Sequence, residues 1–400
     1  MTSADALAAV LARAEAGGWA GYDPYDGLSS NLARTIIPLG RLPRFAFSQV
    51  VLRVPLARAL VQPPPTLNAK GLALFLGAAV RGRHLLGDER ARSVYQSLRN
   101  EIDRLGIQSG QGVGWGYPFP WQSRSFWAPA GTPNAVVTAI VGWQLLELAD
   151  SLGDERAESL GRSAAEFLAS ELNESLVEDG GAISYTKADR TRVLNISTLA
   201  ARLLARAGDL RPALKLAERL VRFVVRGQRA DGSWPYSVDP GGGWEDSFHT
   251  GYVLESLLSL RGLGIPIPDD TLTRGFAAYA RFFDADGGAR LYASPTSVLD
   301  AHSAAQGIVT YAALAASSAD SIPGMRGGRE MALRIASWAR ESLWLPSKGH
   351  FAYRINGGKR DEREFTRWVQ AWMALAMATA GVLETKAAVL SEPVSTVGVA

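Results

Sequence analysis

Two histidines in this 400-residue chain stand where apolar helices should begin. His249 follows Asp246 in GGGWEDSFHTGYVLESL (241–257), and His302 follows Asp300 in DAHSAAQ (300–306). Aspartate is a favoured N-cap, and such a cap contributes on the order of 1 kcal/mol to a helix. Capping alone would account for Asp246, Asp300, Asn134 and Asn195, but not for the histidines. A protonated imidazole in the first turn opposes the helix dipole. The same field favours a neutral ring, which suits a general base or a neutral hydrogen-bonding partner. We therefore expect Asp246, His249, Asp300 and His302 to be catalytic. Imidazole and carboxylate also ligate metals, but no HExxH-like spacing occurs, so no metal or other cofactor is expected.

Around these pairs the sequence sets aromatic residues in turns. Trp115, Tyr117 and Trp121 occur in WGYPFPWQ, Tyr236 and Trp244 flank the glycine run before Asp246, and Trp368 follows Arg367. Aromatic faces in a cleft stack on sugar rings or isoprenoid chains. In their bland reading they plug gaps between neighbouring helices, and for Trp234 that reading wins. Arg367 is positioned to clamp an anionic substrate bidentately, with Arg124 and Arg192 as further candidates. GYDPYDGL (21–28) offers Asp23, Tyr25 and Asp26. Asp-Pro and Asp-Gly form ordinary turns, yet two acids and two tyrosines exceed what a turn requires. If this loop folds over a cavity mouth, it supplies a second carboxylate or a phenol. Asn134 and Asn195 join this binding set at their helix openings.

The elements that must position these groups repeat. Short extended pieces each carry a tyrosine: Tyr117, Tyr185, Tyr236, Tyr292 and Tyr353. A polar residue then opens an apolar helix at Asn134, Asn195, Asp246, Asp300 and about Thr366, with an earlier opening at Thr66-Leu67-Asn68. Between them lie amphipathic, charge-bearing segments such as ERARSVYQSLRNEIDRL and GREMALRIASWARESL. The apolar helices read as an inner layer and the charged ones as an outer layer. An all-α (α/α)6 toroid of six helical hairpins with aromatic-bearing turns is the economical reading. We expect one domain over 1–385, its first 60 residues giving an N-terminal helix and loop that complete the toroid, and a flexible tail over 386–400. Parallel inner helices would gather their N-termini at one cavity mouth, where the site belongs.

Composition limits the alternatives. Hydrophobic residues make up 47% of the chain and charged ones 20%, enough for a large core. The net charge of +3 does not suggest a nucleic-acid partner. The absence of cysteine removes thiolate chemistry and disulfides. No transmembrane span is expected, and the N-terminus reads as an amphipathic helix opened by Ser3 or Asp5 rather than a signal peptide. A cytoplasmic location follows as an expectation. His84 and His350 read as surface or loop residues.

Gln228-Arg-Ala-Asp-Gly-Ser-Trp234 matches the Gln-x-x-x-Gly-x-Trp motif and resembles the repeats of squalene-hopene cyclase and related terpenoid cyclases. The whole pattern is similar to six-hairpin glycosidases and to the α/α domains of polysaccharide lyases and uronyl C5-epimerases. GYDPYDGL, WGYPFPWQ, DSFHTGYVLESL and DAHSAAQ resemble a bacterial family associated with surface-polysaccharide gene clusters. The resemblance implies a carbohydrate-active enzyme, an epimerase, lyase or hydrolase, acting on an oligosaccharide or polysaccharide by acid/base chemistry. Two alternatives stand beside it. An isoprenoid cyclase or transferase shares the toroid, but DxDD and DDxxD boxes are missing. A glycan-binding protein would use the same cleft without turnover.

Overall fold

Six apolar helices form a closed inner ring. In the computed structural model, which describes residues 1–123, 126–208 and 211–391, the chain begins with α1 (Ser3–Ala16), α2 (Arg41–Arg53) and α3 (Pro55–Val61). It continues with α4 (Ala69–Arg81), α5 (Asp88–Arg104), α6 (Ala135–Leu152), α7 (Glu155–Ser170) and α8 (Leu194–Ala207). The remainder is α9 (Arg211–Arg226), α10 (Ser247–Gly262), α11 (Asp269–Ala280), α12 (Ala301–Ala316), α13 (Gly328–Ser342) and α14 (Ala371–Ser391). The inner ring runs α4, α6, α8, α10, α12 and α14, and α14 packs back on α4. Each inner helix is backed by an outer one, and α1 backs α14 to complete the sixth hairpin. The (α/α)6 toroid is therefore the architecture.

The outer helices pack one face only. In α5 the buried residues Ala91, Val94, Tyr95, Leu98 and Ile102 recur at helical spacing on one stripe. Inner helices have no such freedom, because they touch neighbours on several sides. In α12 every residue from Ala301 to Ala312 is buried. Gly251 of α10 marks one close crossing: a Cβ there would lie 2.5 Å from Gln306 Cγ. Helix α6 is long and apolar enough to cross a membrane, yet two thirds of it is buried in the toroid.

Backbone bonds between repeats explain the tyrosine-bearing turns. The first N–H groups of a helix lack intrahelical partners. Here Ala135 N–H donates to the Tyr185 carbonyl (2.9 Å), Leu194 to Tyr236 (3.1 Å), Ala301 to Tyr353 (3.2 Å) and Arg367 to Tyr22 (3.2 Å). Each turn thus accepts the N-terminus of the preceding inner helix, and Tyr22 closes the ring. The repeat slips by one at Tyr292, which is exposed while Leu291 takes its place and accepts from Ser247 N–H. Gln228 Nε2 donates to the carbonyls of Gly232 and Thr271, and buried Trp234 donates through Nε1 to Val224. The Gln-x-x-x-Gly-x-Trp motif therefore joins hairpins and carries no chemistry.

Several expected boundaries move. Helix α1 opens at Ser3, within the expected choice of Ser3 or Asp5, and Thr2 caps it in a capping box with Asp5. Val193 precedes α8, so Asn195 is inside the helix and does not cap it. A π-helical turn, Thr366–Gln370, leads into α14, a feature that often marks functional sites. The expected loop before residue 60 instead carries α2 and α3. Helix α14 continues to Ser391, past the expected tail boundary at 386, and residues 392–400 lie outside the described residues. His350 is buried in a short hairpin rather than exposed, its Nδ1 against the Phe351 carbonyl.

Candidate active site

The glycine run before Asp246 ends in extended backbone (φ −144°, ψ 171°), which turns the Asp246 carboxylate back over the first turn of α10. Its Oδ1 accepts the His249 N–H at 2.9 Å, and its Oδ2 lies 2.8 Å from His249 Nδ1. One carboxylate both caps the helix and orients the imidazole. With Nδ1–H directed at Asp246, Nε2 is left as the basic nitrogen. Tyr236 and Trp244 stack at 4.4 Å, and both stand edge-on to His249, which is partly exposed.

The second pair is built differently. Asp300 Oδ1 caps α12 through the Ser303 N–H, and Oδ2 accepts from Arg354 Nε at 2.6 Å. Arg354 reaches it because Arg354–Asn356 pairs antiparallel with Leu299–Asp300. The expectation that Asp300 serves its own histidine is thus corrected. His302 is fully buried, and its Nε2 lies 2.9 Å from the Tyr252 hydroxyl on α10. Burial, and then the nearby Lys70 charge, push its pKa well below the ordinary histidine range. The ring is therefore neutral, as the helix-dipole argument required, but desolvation is the main cause. Burial likewise raises the Tyr252 pKa, so its phenol keeps its proton and meets Nε2 as a neutral group. The other ring nitrogen, Nδ1, is buried and has no hydrogen-bond partner. Phe248 lies between the two imidazoles, its ring 4.3 Å from each.

The loop after α1 forms the opposite wall. Gly21 bridges to Thr66, which brings the GYDPYDGL loop against the start of α4. Asp26 is fully buried between two guanidiniums, Arg367 Nη2 at 2.6 Å and Arg58 Nη2 at 2.8 Å. Arg367 also bonds the Thr66 hydroxyl and is 1% exposed. The expected role of Arg367 as an anion clamp is therefore overturned: its terminal nitrogens are committed and no surface remains. Arg192 is similarly tied to Asp239, and Arg124 lies outside the described residues. Asp23 is buried, with Oδ1 accepting the Tyr25 N–H and Oδ2 unpartnered. Tyr25 packs edge-on against Trp368 at 5.3 Å. Burial raises its phenol pKa well above the ordinary range, so it is a proton donor rather than a base.

Lys70, in the first turn of α4, is a site residue that the sequence alone did not single out. Its ammonium is 4.0 Å from the Trp368 ring centre and 5.3 Å from that of Tyr117, a cation–π arrangement. Burial lowers its pKa to about 8, with the Arg367 charge adding to the drop and Asp23 opposing it. The available signal was a lysine two residues after the Asn68 cap in an otherwise apolar helix.

The remaining aromatic residues divide. Tyr117 and Trp121 cluster with Phe126 and Tyr185, the two tyrosine hydroxyls 3.0 Å apart. Trp115 is wholly buried and donates through Nε1 to the Ile102 carbonyl, so it has no face for a substrate. Asn134 caps α6 through Val137 N–H, while Asn195 Oδ1 is buried without a partner. Where a cavity mouth was expected, a narrow crevice of about 10 Å³ lies between Asn195, Tyr236, Asp246 and His249. A cavity of about 560 Å³ lies to one side, walled by Phe126, Trp127, Asp189 and Asp239. Buried polar atoms normally find partners. Asp23 Oδ2, Asn195 Oδ1, His302 Nδ1 and Tyr353 Oη do not, and all four residues belong to the inner-helix openings or the turns beside them.

Solved structures share this toroid. A GH76 α-mannanase from Bacteroides thetaiotaomicron is 12% identical with a TM-score of 0.60, over 80% of this chain and 88% of that one. Cellobiose 2-epimerase from Bacillus thermoamylovorans is 9% identical with a TM-score of 0.57, over 78% and 87%. An unsaturated glucuronyl hydrolase specific for heparin is 12% identical with a TM-score of 0.57, over 80% and 86%. At such identity the likeness establishes the fold alone. No protein-family model matches the chain, and no curated protein matches it in sequence.

Proposed function

We propose that the chain is a carbohydrate-active enzyme that moves a proton at carbon, as an epimerase or lyase does, with His249 as general base. The observation that carries this is the Asp246–His249 dyad beside the stacked Tyr236 and Trp244. His249 Nε2 removes a proton from the carbon next to a sugar carbonyl or uronate carboxylate, and the electron pair moves onto that oxygen. The Lys70 ammonium, buried behind Trp368, adds positive charge to the field in which the oxyanion develops. Reprotonation from the other face inverts the centre; loss of a β-substituent instead leaves an unsaturated sugar.

Hydrolysis fits less well. It needs one carboxyl free as acid and another free as base or nucleophile. Asp246 is engaged by His249, Asp300 by Arg354 and Asp26 by two arginines, Glu245 at the crevice pairs with Arg229 and Arg281, and Asp23 keeps one oxygen free but is fully buried. Epimerase, hydrolase and uronate-processing neighbours on the same toroid support a saccharide substrate. The sequence resemblance supports a bacterial surface glycan or its precursor.

The test is incubation of the purified protein with reducing and uronate-containing oligosaccharides in D2O, followed by mass spectrometry and NMR. Deuterium at one carbon, lost in His249→Ala, is the expected result. A product heavier by one water would overturn the proposal in favour of hydrolysis. Tight binding of a glycan with no exchange would make the protein a glycan-binding module.

A further inference from the structure

The segment that walls the site also carries an inverted surface. Fifteen large hydrophobic side chains are exposed among the described residues, and seven of them lie between residues 32 and 60. Leu42, Leu56 and Leu60 are 78%, 70% and 76% exposed. In α2 the exposed residues Leu42, Ala46 and Val50 follow i, i+4, i+8 spacing, so they form one outward stripe. Leu56 and Leu60 continue it on α3 at i, i+4. Meanwhile arginines turn inward: Arg58 pairs with buried Asp26, and Arg44 bonds the Ile37 carbonyl and lies over Trp127. An ordinary surface helix has the reverse arrangement.

The charge that this segment itself carries has one sign. No Asp or Glu occurs between Asp26 and Asp88, while Arg34 and Arg53 are exposed beside the aliphatic stripe. The underside is anchored: Val51 packs on Gly27, and Arg363 bonds the Leu52 carbonyl. An apolar face on a segment that carries arginines and no acid of its own matches the interfacial zone of an anionic bilayer, where leucines enter the acyl boundary and guanidiniums meet headgroup phosphates.

We infer that α2 and α3 form a peripheral docking surface for an anionic lipid membrane. The same segment bears Asp23, Tyr25 and Asp26, so docking sets the site's wall against the headgroups. The test is co-sedimentation of the full chain with phosphatidylcholine vesicles containing about one-third phosphatidylglycerol. Binding is expected, weakened about tenfold when phosphatidylglycerol is omitted or salt is raised. The Leu42→Asp/Leu56→Asp/Leu60→Asp variant should lose at least about tenfold in partitioning. Its thermal unfolding should match the parent, because all three side chains are exposed. No binding to anionic vesicles, or binding that the triple variant retains, overturns the inference. So does a concentration-dependent dimer by light scattering that the variant abolishes, which would assign the face to a second copy.

Discussion

The two Asp/His openings look alike in sequence and differ in structure because of one residue of spacing. Asp246 and His249 are three apart, so they share a face of the first turn and the carboxylate reaches the ring at 2.8 Å. Asp300 and His302 are two apart, which sets them on different sides of the helix. Asp300 therefore turns to Arg354, and His302 turns inward to Tyr252. One opening is a partly exposed dyad suited to taking a proton. The other separates into an Asp300–Arg354 ion pair and a neutral, buried imidazole held by Tyr252.

Substitutions at the two openings should therefore give opposite profiles. The largest effect is expected for His249→Ala, with kcat falling by about 10²–10⁴-fold and thermal stability little changed; equal loss in kcat for a stable Asp300→Asn variant would erase the distinction. Asp300→Ala leaves Arg354 without its buried partner, and urea unfolding should show a loss of about 3 kcal/mol. Asp246→Ala removes a cap and should cost only about 1 kcal/mol by the same measurement. Asp246→Asn keeps the cap acceptor for His249 N–H, so its unfolding free energy should stay within about 0.5 kcal/mol of the parent while kcat drops on the order of 100-fold. A parental kcat in Asp246→Asn would reduce that carboxylate to a cap.

Titration separates the openings further. His302 holds a pKa well below that of an unfolded histidine, so in the acidic window below about 6.5 the unfolded chain binds more protons. Stability therefore falls as pH drops through that window, and His302→Phe should flatten the fall in urea midpoints measured between pH 7 and pH 5, provided the ring repacks between Phe248 and Trp372. A slope unchanged in that variant would mean that other groups carry it. Lys70 gives the smallest and most local signal. Its charge opposes protonation of His302, so Lys70→Met should move the His302 NMR titration upward.

Much of this was legible in the chain. Alternating apolar and amphipathic segments gave the six hairpins, because inner helices contact neighbours on several sides while outer helices pack one stripe. The pairing of Asp246 with His249 was readable too, since three-residue spacing forces the meeting. The i, i+2 spacing of Asp300 and His302 carried the opposite message, and treating the pairs as equivalent missed it. The acid-free stretch after Asp26 was equally visible, but whether its leucines face in or out depends on what lies beneath them.

Tertiary structure alone decided the rest. Trp115 and Arg367 have the residue types of a binding site, yet one plugs a gap under Ile102 and the other is consumed by Asp26 and Thr66. Lys70 became part of the site only when Tyr117 and Trp368, distant in sequence, closed over it. Helix periodicity and capping act over a few residues, so the sequence by itself determined the ring of helices and where each one opens. Burial, partner choice and the protonation of His302 depend on contacts between residues tens to hundreds apart, and only the closed toroid decided those.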